Sequence, residues 1–333
     1  MVKRICWCGN SELLEFSPEY GRCSNCGTLV SLVGLSTEEL QVKNDEADFY
    51  GKQYWFDHQS KDLGFPDIRA RARNDLTDRN LHWLRTLLRY RVPPAKVLEL
   101  GCSHGSFVGL LQQAGYDASG LEMSPWVVNF AKETFQIPVS VGPVEDLDIT
   151  PRSLDVIALM DVLEHLPNPV GTMRHCLDLL APGGFLLIQT PQFREEMTYE
   201  GLVETQGPFL EQFKSNEHLY LFTKDSVARM FARLGADHIV FEPAIFGQYD
   251  MFFLVSSQPL REVAIEDRER ALQASPQARY VQAMIDLGDR FKAAAEKETA
   301  LAATVELLEK DRADRLTQIH KLTDMVRELQ QRR

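Results

Sequence analysis

From Val97 onward, short apolar runs alternate with helix-length segments. VLEL leads into a helix from Ser106, ASGLE into a helix from Ser124, and LDVIALM into a helix around 169–180, after which GFLLIQT follows. Apolar runs of this length, separated by helices, predict a parallel sheet covered on both faces. Two later runs, DHIVFE and MFFLVS, are joined by a short segment including GQYD. They predict a hairpin-like antiparallel edge. The expected class is therefore α/β, a doubly wound and mostly parallel sheet with an antiparallel C-terminal edge.

Other patterns flank this region. Residues 36–92 open with the aromatic and charged run DFYGKQYWFDH and continue with Leu76, Leu81, Leu84, Leu87 and Leu88 at helical spacing, until Pro93-Pro94 ends the helix. After Pro259 the chain is rich in Ala, Glu, Lys and Arg. From Leu301 a heptad can be written, with Val305, Arg312, Ile319 and Val326 at a and Leu301, Leu308, Arg315, Leu322 and Leu329 at d. The two arginines interrupt the seam, while the last two heptads favour a parallel two-stranded coiled coil. The alternative is one long solvated helix lying on its own domain. Four regions result: a cysteine module at 1–35, a helical connector and cap at 36–92, the α/β domain at 93–258, and a helical tail at 259–333.

Composition narrows the class. With 333 residues, 44% of them hydrophobic, the chain can bury a full core. No run of eighteen uncharged apolar residues occurs, and MVKRICWCGN is not followed by an apolar run, so neither a membrane span nor a signal peptide is expected and the cytoplasm is the expected compartment. A net charge of −12 repels phosphate polymers, so no nucleic-acid partner is expected. A small anionic ligand stays open.

Four of the six cysteines lie in the first 26 residues, as Cys6-Trp-Cys8-Gly and Cys23-Ser-Asn-Cys26-Gly. Two close thiol pairs in a reducing compartment predict a tetrahedral structural zinc site that supplies the folding energy of a module too small for its own core. The first pair is Cys-x-Cys rather than Cys-x-x-Cys, which keeps a disulfide or free thiols open. Cys102 and Cys176 read as small buried hydrophobes. Arginines 69, 71, 73, 79, 85, 89 and 91 form either a solvated helical face or, at the spacings 69/73 and 85/89, a phosphate-binding side. Tyr50, Tyr54, Trp55 and Phe56 are candidates for a flat acceptor platform or for core.

The loop after the first predicted strand, VLELGCSHGSF, fails the dinucleotide pattern Gly-x-Gly-x-x-Gly at Ser103 and Ser106. The register that fits is Gly101-x-Ser103-x-Gly105 with Glu99 in the strand before it. This resembles motif I of class I S-adenosylmethionine-dependent methyltransferases, a Rossmann-like family. Glu122 and Met123 at the end of the second strand, Glu145-Asp146-Leu147 after the third, and LAPGGFLLIQTP extend the resemblance over residues 93–258. It implies S-adenosylmethionine as cofactor, held by Glu99, Gly101, Ser103, Gly105, Glu122, Met123, Glu145, Asp146 and Asp161. Glu99 would accept from the ammonium group, Glu122 from the ribose hydroxyls, and Glu145 with a neighbouring amide would meet adenine. His104 is expected to point to solvent or to the cofactor's carboxylate.

Ligands of an open parallel sheet lie beyond the carboxyl ends of its strands, which directs attention to Asp161-Val-Leu-Glu164-His165. Methyl transfer to a hydroxyl needs alignment and removal of a proton. His165 is a candidate base, with Glu164 or Asp161 to orient it. The stretch resembles the Glu-x-x-Glu-His of ubiquinone-type O-methyltransferases, in which these side chains are linked to a divalent cation; Asp161 stands for the first Glu. His218, in SNEHLYLFT, resembles that family's H-x-x-x-F-[ST] and is the second candidate. Before it, 192–216 is expected to form a lid. Together with the cysteine module and the Tyr-Trp-Phe connector, the whole resembles bacterial enzymes that methylate sugars in nucleotide-sugar, antibiotic or surface-polysaccharide pathways. The helical tail in place of a further C-terminal domain points to O-methylation of a small-molecule or glycan acceptor, and to a homodimer or a glycosyltransferase partner joined through that tail. Two classes stay open beside it: a methyltransferase acting on RNA or a small aromatic, and a non-catalytic assembly protein.

Overall fold

A computed structural model describes residues 4–34, 39, 40, 42–46, 48–52, 54, 55, 64 and 66–332. Phe56 and the expected boundary at 35/36 lie outside the described residues. Two compact units result, Met1–Gln282 and Ala283–Arg333.

The centre of the first unit is a seven-stranded sheet. Its strands are β4 (Lys96–Leu100), β5 (Asp117–Glu122), β6 (Val139–Val141), β7 (Leu154–Met160), β8 (Leu180–Pro191), β10 (His238–Glu242) and β11 (Asp250–Ser256). They lie in the order β10-β11-β8-β7-β4-β5-β6. Pairing is parallel from β6 to β8 and antiparallel at β8/β11 and β11/β10. The predicted hairpin edge is therefore present, with Val240 opposite Leu254. Chain order runs outward from β4 to β6 and then restarts on the other side of β4 with β7. The connections that follow β4 and β7 thus leave in opposite directions and open a crevice beyond the carboxyl ends of these paired strands.

Helices α3 (Ser106–Ala114), α4 (Pro125–Phe135), α5 (Pro169–Leu179) and α7 (Lys224–Arg233) connect these strands. The starts of α4, α5 and α7 are written in the chain as side-chain caps. Ser124 accepts from Val127 N ahead of Pro125, and Thr223 and Ser226 form a reciprocal capping box at α7. Ile157, Leu186, Leu187, Ile188 and Phe253 have no exposed surface, and each such side chain contributes about 2 kcal/mol of hydrophobic stabilisation. Cys102 packs against Gly120, where a Cβ would sit 2.5 Å from its sulfur, so it is the small buried residue expected.

The leucine pattern before Pro93 folds as α1 (Ile68–Asp75) and α2 (Leu81–Tyr90), joined by a π-helical turn at Leu76–Asn80. Asp67 caps α1, accepting from Arg69 N and Ala70 N.

At the N-terminus β1 (Leu13–Glu15), β2 (Tyr20–Cys23) and β3 (Leu29–Ser31) form a small antiparallel sheet. Its fourth strand is β9 (Tyr220–Leu221), which pairs with β3 through Leu29↔Leu221 and Val30↔Tyr220. The cysteine-bearing segment is thus sewn into the main domain by a strand from 220–221, which no local pattern announced. The 192–216 segment contains α6 (Tyr199–Thr205) and a 3₁₀ turn at Pro208–Gln212. After α8 (Ile265–Leu272), α9 (Pro276–Gln331) runs through Gly288 without a break; in the first unit its Ala278 and Val281 are buried. Among the described residues no helix is long and apolar enough to cross a membrane.

Candidate active site

The loop after β4 carries three residues in left-handed conformation within five positions, Gly101 (φ +64°), Ser103 (φ +51°) and Gly105 (φ +80°). A Cβ on Gly101 would lie 2.6 Å from Val162 Cγ2, and one on Gly105 would lie 2.5 Å from Ile137 Cδ1. Both glycines are required by conformation and by contact with neighbouring side chains. Gly105, expected among the cofactor residues, packs on Ala131 of α4 and is not in the lining of the cavity described below.

Two carboxyl groups flank this loop. Glu122 is buried, not facing solvent, and accepts from the backbone amides of Ser103 (3.0 Å), Met123 (2.8 Å) and Ser124 (3.2 Å). Glu99 is buried too, and its Oε2 has no hydrogen-bond partner. Burial, followed by the charge of Glu122, pushes the Glu99 carboxyl well above the usual range, and burial also raises Glu122 against the lowering effect of its amide bonds. A buried carboxyl oxygen without a donor costs free energy that an incoming cation or N–H would relieve.

Both open onto one cavity of about 980 Å³, whose walls include Glu99, Gly101, Ser103, Glu122, Met123, Glu145 and Asp161, along with Glu164, His165 and His218. Seven of the nine expected cofactor residues therefore share one chamber. Asp146 does not: it is exposed and outside the lining, while Glu145 beside it accepts from Thr172 Oγ1 at 2.5 Å. His104 does not point to solvent: it is buried, with Nε2 3.0 Å from Asp75 Oδ2 at the end of α1, and it lines the same cavity.

The two candidate histidines come together through the backbone. Leu219 N donates to the Glu164 carbonyl at 2.8 Å, which ties the 192–219 segment to the turn after β7. The His165 and His218 rings stand edge to face at 4.9 Å. His218 Nδ1 lies 2.8 Å from the Gln212 carbonyl, so it must donate there, and the neutral ring presents a lone pair at Nε2. His165 Nδ1 meets Tyr50 Oη at 3.0 Å, and its Nε2 is 3.8 Å from Glu164 Oε1. Burial holds both rings below the usual histidine range, His218 the further. Asp161 does not orient His165. Its oxygens face Gln189 Nε2 (3.0 Å) and Arg79 Nη1 (3.5 Å), and its left-handed backbone (φ +58°) turns it away. Of the three residues that the resemblance linked to a cation, Glu164 and His165 have ligand atoms within 4.8 Å of one another and of His218, and Asp161 is not among that group.

Other residues in and beside the cavity wall complete the site. Asp250, in the GQYD link, is buried, and burial with the neighbouring charges of Asp161 and Glu164 pushes it up to about 9. Tyr54 donates to Glu217 Oε2 at 2.8 Å. Asp45 accepts from Ser124 Oγ (2.8 Å) and Trp126 N (2.7 Å), which anchors the connector at the start of α4 beside Glu122. Most of the arginines pair with carboxylates of the chain. Arg71 and Arg79 reach the cavity and pair with Asp75, Arg89 pairs with Glu242 and Glu262, and Arg91 with Asp155, while Arg69 and Arg73 are solvated.

In the cysteine module, Cys6 Sγ is 3.5 Å from Cys26 Sγ and Cys8 Sγ is 3.6 Å from Cys23 Sγ. All four sulfurs lie within 4.8 Å of one another, and none is in a disulfide. Tetrahedral zinc with four thiolates needs sulfur separations of about 3.8 Å, so this donor set fits the ion. Beyond the module, Tyr20 Oη donates to the His218 carbonyl at 2.9 Å, and Arg233 Nη1 donates to the Cys8 carbonyl.

A doubly wound sheet with a buried carboxyl at the tip of each of its first two strands, and a histidine pair across the crevice, defines a class of adenosyl-cofactor enzyme. The family model described as a methyltransferase domain matches residues 71–239, just over half of the chain, and the chain belongs to that family. It is 33% identical over 108 residues to the ubiquinone biosynthesis O-methyltransferase of Xanthomonas campestris pv. campestris strain B100, and 32% identical over 108 residues to that of Xanthomonas euvesicatoria pv. vesicatoria strain 85-10. Each match covers 31% of this chain and 45% of the relative, so less than half of either relative's length is spanned. Among solved structures, the magnesium protoporphyrin IX methyltransferase of Synechocystis PCC 6803 with bound S-adenosylhomocysteine superposes with a TM-score of 0.44 at 17% identity, covering 62% of this chain and 97% of that one.

Proposed function

We propose that this chain uses S-adenosylmethionine to methylate a hydroxyl of a sugar or glycan. The observation that carries this reading is a single cavity with a partnerless buried oxygen of Glu99 on one wall and a histidine of defined tautomer, His218, on another. Glu99 would meet the ammonium group, Glu122 the ribose hydroxyls and Glu145 the adenine edge. The bound cofactor supplies an electrophilic methyl group on a sulfonium. His218 Nε2 holds the proton of the acceptor hydroxyl, and His165, fixed by Tyr50, is the residue that positions the His218 ring. Carboxylates at Asp161, Glu211 and Glu217, with the rings of Tyr54, Phe213 and Tyr249, line the acceptor side. Such a wall suits a polyol, whose hydroxyls need acceptors and whose C–H faces need flat apolar surface, and it disfavours a phosphate polymer. The four thiolates of the cysteine module would hold a structural zinc.

A phenolic acceptor is the second reading, favoured by the names of the ubiquinone biosynthesis relatives. Incubation with methyl-labelled cofactor and either nucleotide sugars, glycan extract or catechols separates the two. Label in the carbohydrate fraction is expected; label in catechols alone transfers the assignment to phenols, and none in any fraction rejects both. His218→Ala should lower kcat by about 10²–10⁴ with cofactor affinity intact. Because burial lowers its pKa, the acid limb of kcat/KM should lie below pH 6.5 and vanish in the variant. An unchanged profile would remove His218 as base.

A further inference from the structure

From Ala283 to Gln331 the chain is one helix, and every residue from 289 to 331 is exposed. Helices this long draw most of their stability from packing one face, and this one leaves Phe291 75% exposed, Leu308 63% and Leu329 65%. Because the helix continues upstream, the heptad seam does too. Steps of four and three connect Leu287, Phe291, Ala294, Glu298 and Leu301 with the seam that ends at Leu329, without a change of phase. Three charged residues sit in it: Glu298 and Arg312 at a, and Arg315 at d.

We propose that this seam is covered by a second copy of the chain in an antiparallel two-stranded coiled coil, with Val305 against the partner's Leu308. Antiparallel pairing sets a against d, and in this register Glu298 faces the partner's Arg315 at two symmetry-related positions. Leu301 falls against the partner's Arg312, whose stem covers the leucine while its head stays at the edge. Leu287, Phe291 and Ala294 meet the partner's Val326, Leu322 and Ile319, so the outer layers are apolar throughout. A parallel dimer would instead stack Glu298 on Glu298, Arg312 on Arg312 and Arg315 on Arg315. Like charges in a seam work against that arrangement, and charged or polar seam residues are the devices that select orientation and register. A slip of one heptad either way sets Glu298 against a leucine and both arginines against apolar side chains. The pairing of Arg315 with Asp311 on its own helix, at 2.7 Å, is solvent-exposed and leaves guanidinium donors for the glutamate.

The test is sedimentation equilibrium of the full chain as wild type, E298R, R315E and the double variant, with helix content followed by circular dichroism. The wild type should be dimeric at low micromolar concentration. Each single variant should weaken the dimer by about tenfold or more, since two attractive contacts become repulsive, and the charge-swapped double variant should recover to within about fivefold of wild type. A wild type that stays monomeric at about 100 µM overturns the proposal. So does a dimer insensitive to the single variants, or one that the double variant fails to restore while its helix content is intact, because a parallel pair gains nothing from the swap.

Discussion

Glu99, Glu122, Glu164 and Asp250 are all buried carboxyl groups, and their surroundings divide them. Glu122 has three amides to hold its charge, whereas Asp250 has the charges of Asp161 and Glu164 nearby and is pushed up to about 9. In an unfolded chain Asp250 loses its proton near pH 4, so between there and pH 9 the folded state binds the extra proton, and stability falls as pH rises across that window. Asp250→Asn should remove this slope and raise stability at pH 9 by about 1–3 kcal/mol, read as a flatter dependence of Tm on pH. A variant that tracks the wild type at every pH would refute the assignment. The glycines and carboxyls of the cofactor loop were legible because their spacing is local. Asp45 at the start of α4 and Asp250 in the cavity wall were not, since each arrives from a segment with no periodicity of its own.

Among the elements, the loop from Gly101 to Gly105 decides most. Its left-handed residues turn the chain from β4 into α3, and Gly105 also admits Ala131 of α4 and Ile137 just beyond that helix, which press on it. Gly105→Ala should cost about 2–4 kcal/mol from the positive φ and the forced contact together, measurable in urea unfolding. A cost under about 0.5 kcal/mol would show that α4 yields freely. The strands and helices of the α/β region were readable from alternation alone. The link from Glu164 to Leu219, which brings His165 and His218 together, was not, because a backbone hydrogen bond between distant turns leaves no periodic mark.

For the molecule as a whole, the cysteine module is coupled to the crevice. The β3/β9 pairing and the bond from Tyr20 to the His218 carbonyl run from the thiol cluster to the histidine pair. With zinc as the module's folding energy, chelation should lower Tm by about 10 °C or more and reduce methyl transfer, both recoverable with added zinc. Elemental analysis of protein purified under reducing conditions should return one zinc per chain; its absence would end the zinc reading.

By itself the sequence determined the doubly wound sheet, the cofactor-type loop, the four-thiol cluster and the heptad positions of the tail, because each depends on residues a few places apart and on periods set by backbone geometry. Tertiary structure alone decided which carboxyls lack partners, that Asp161 turns to Arg79 rather than to His165, that His104 and most of the arginines are held in internal pairs, and that residues 220–221 complete the N-terminal sheet. Those outcomes depend on burial and on which segments the fold brings together, from Asp75 beside His104 to residues 220–221 beside β3, and neither leaves a trace in local spacing.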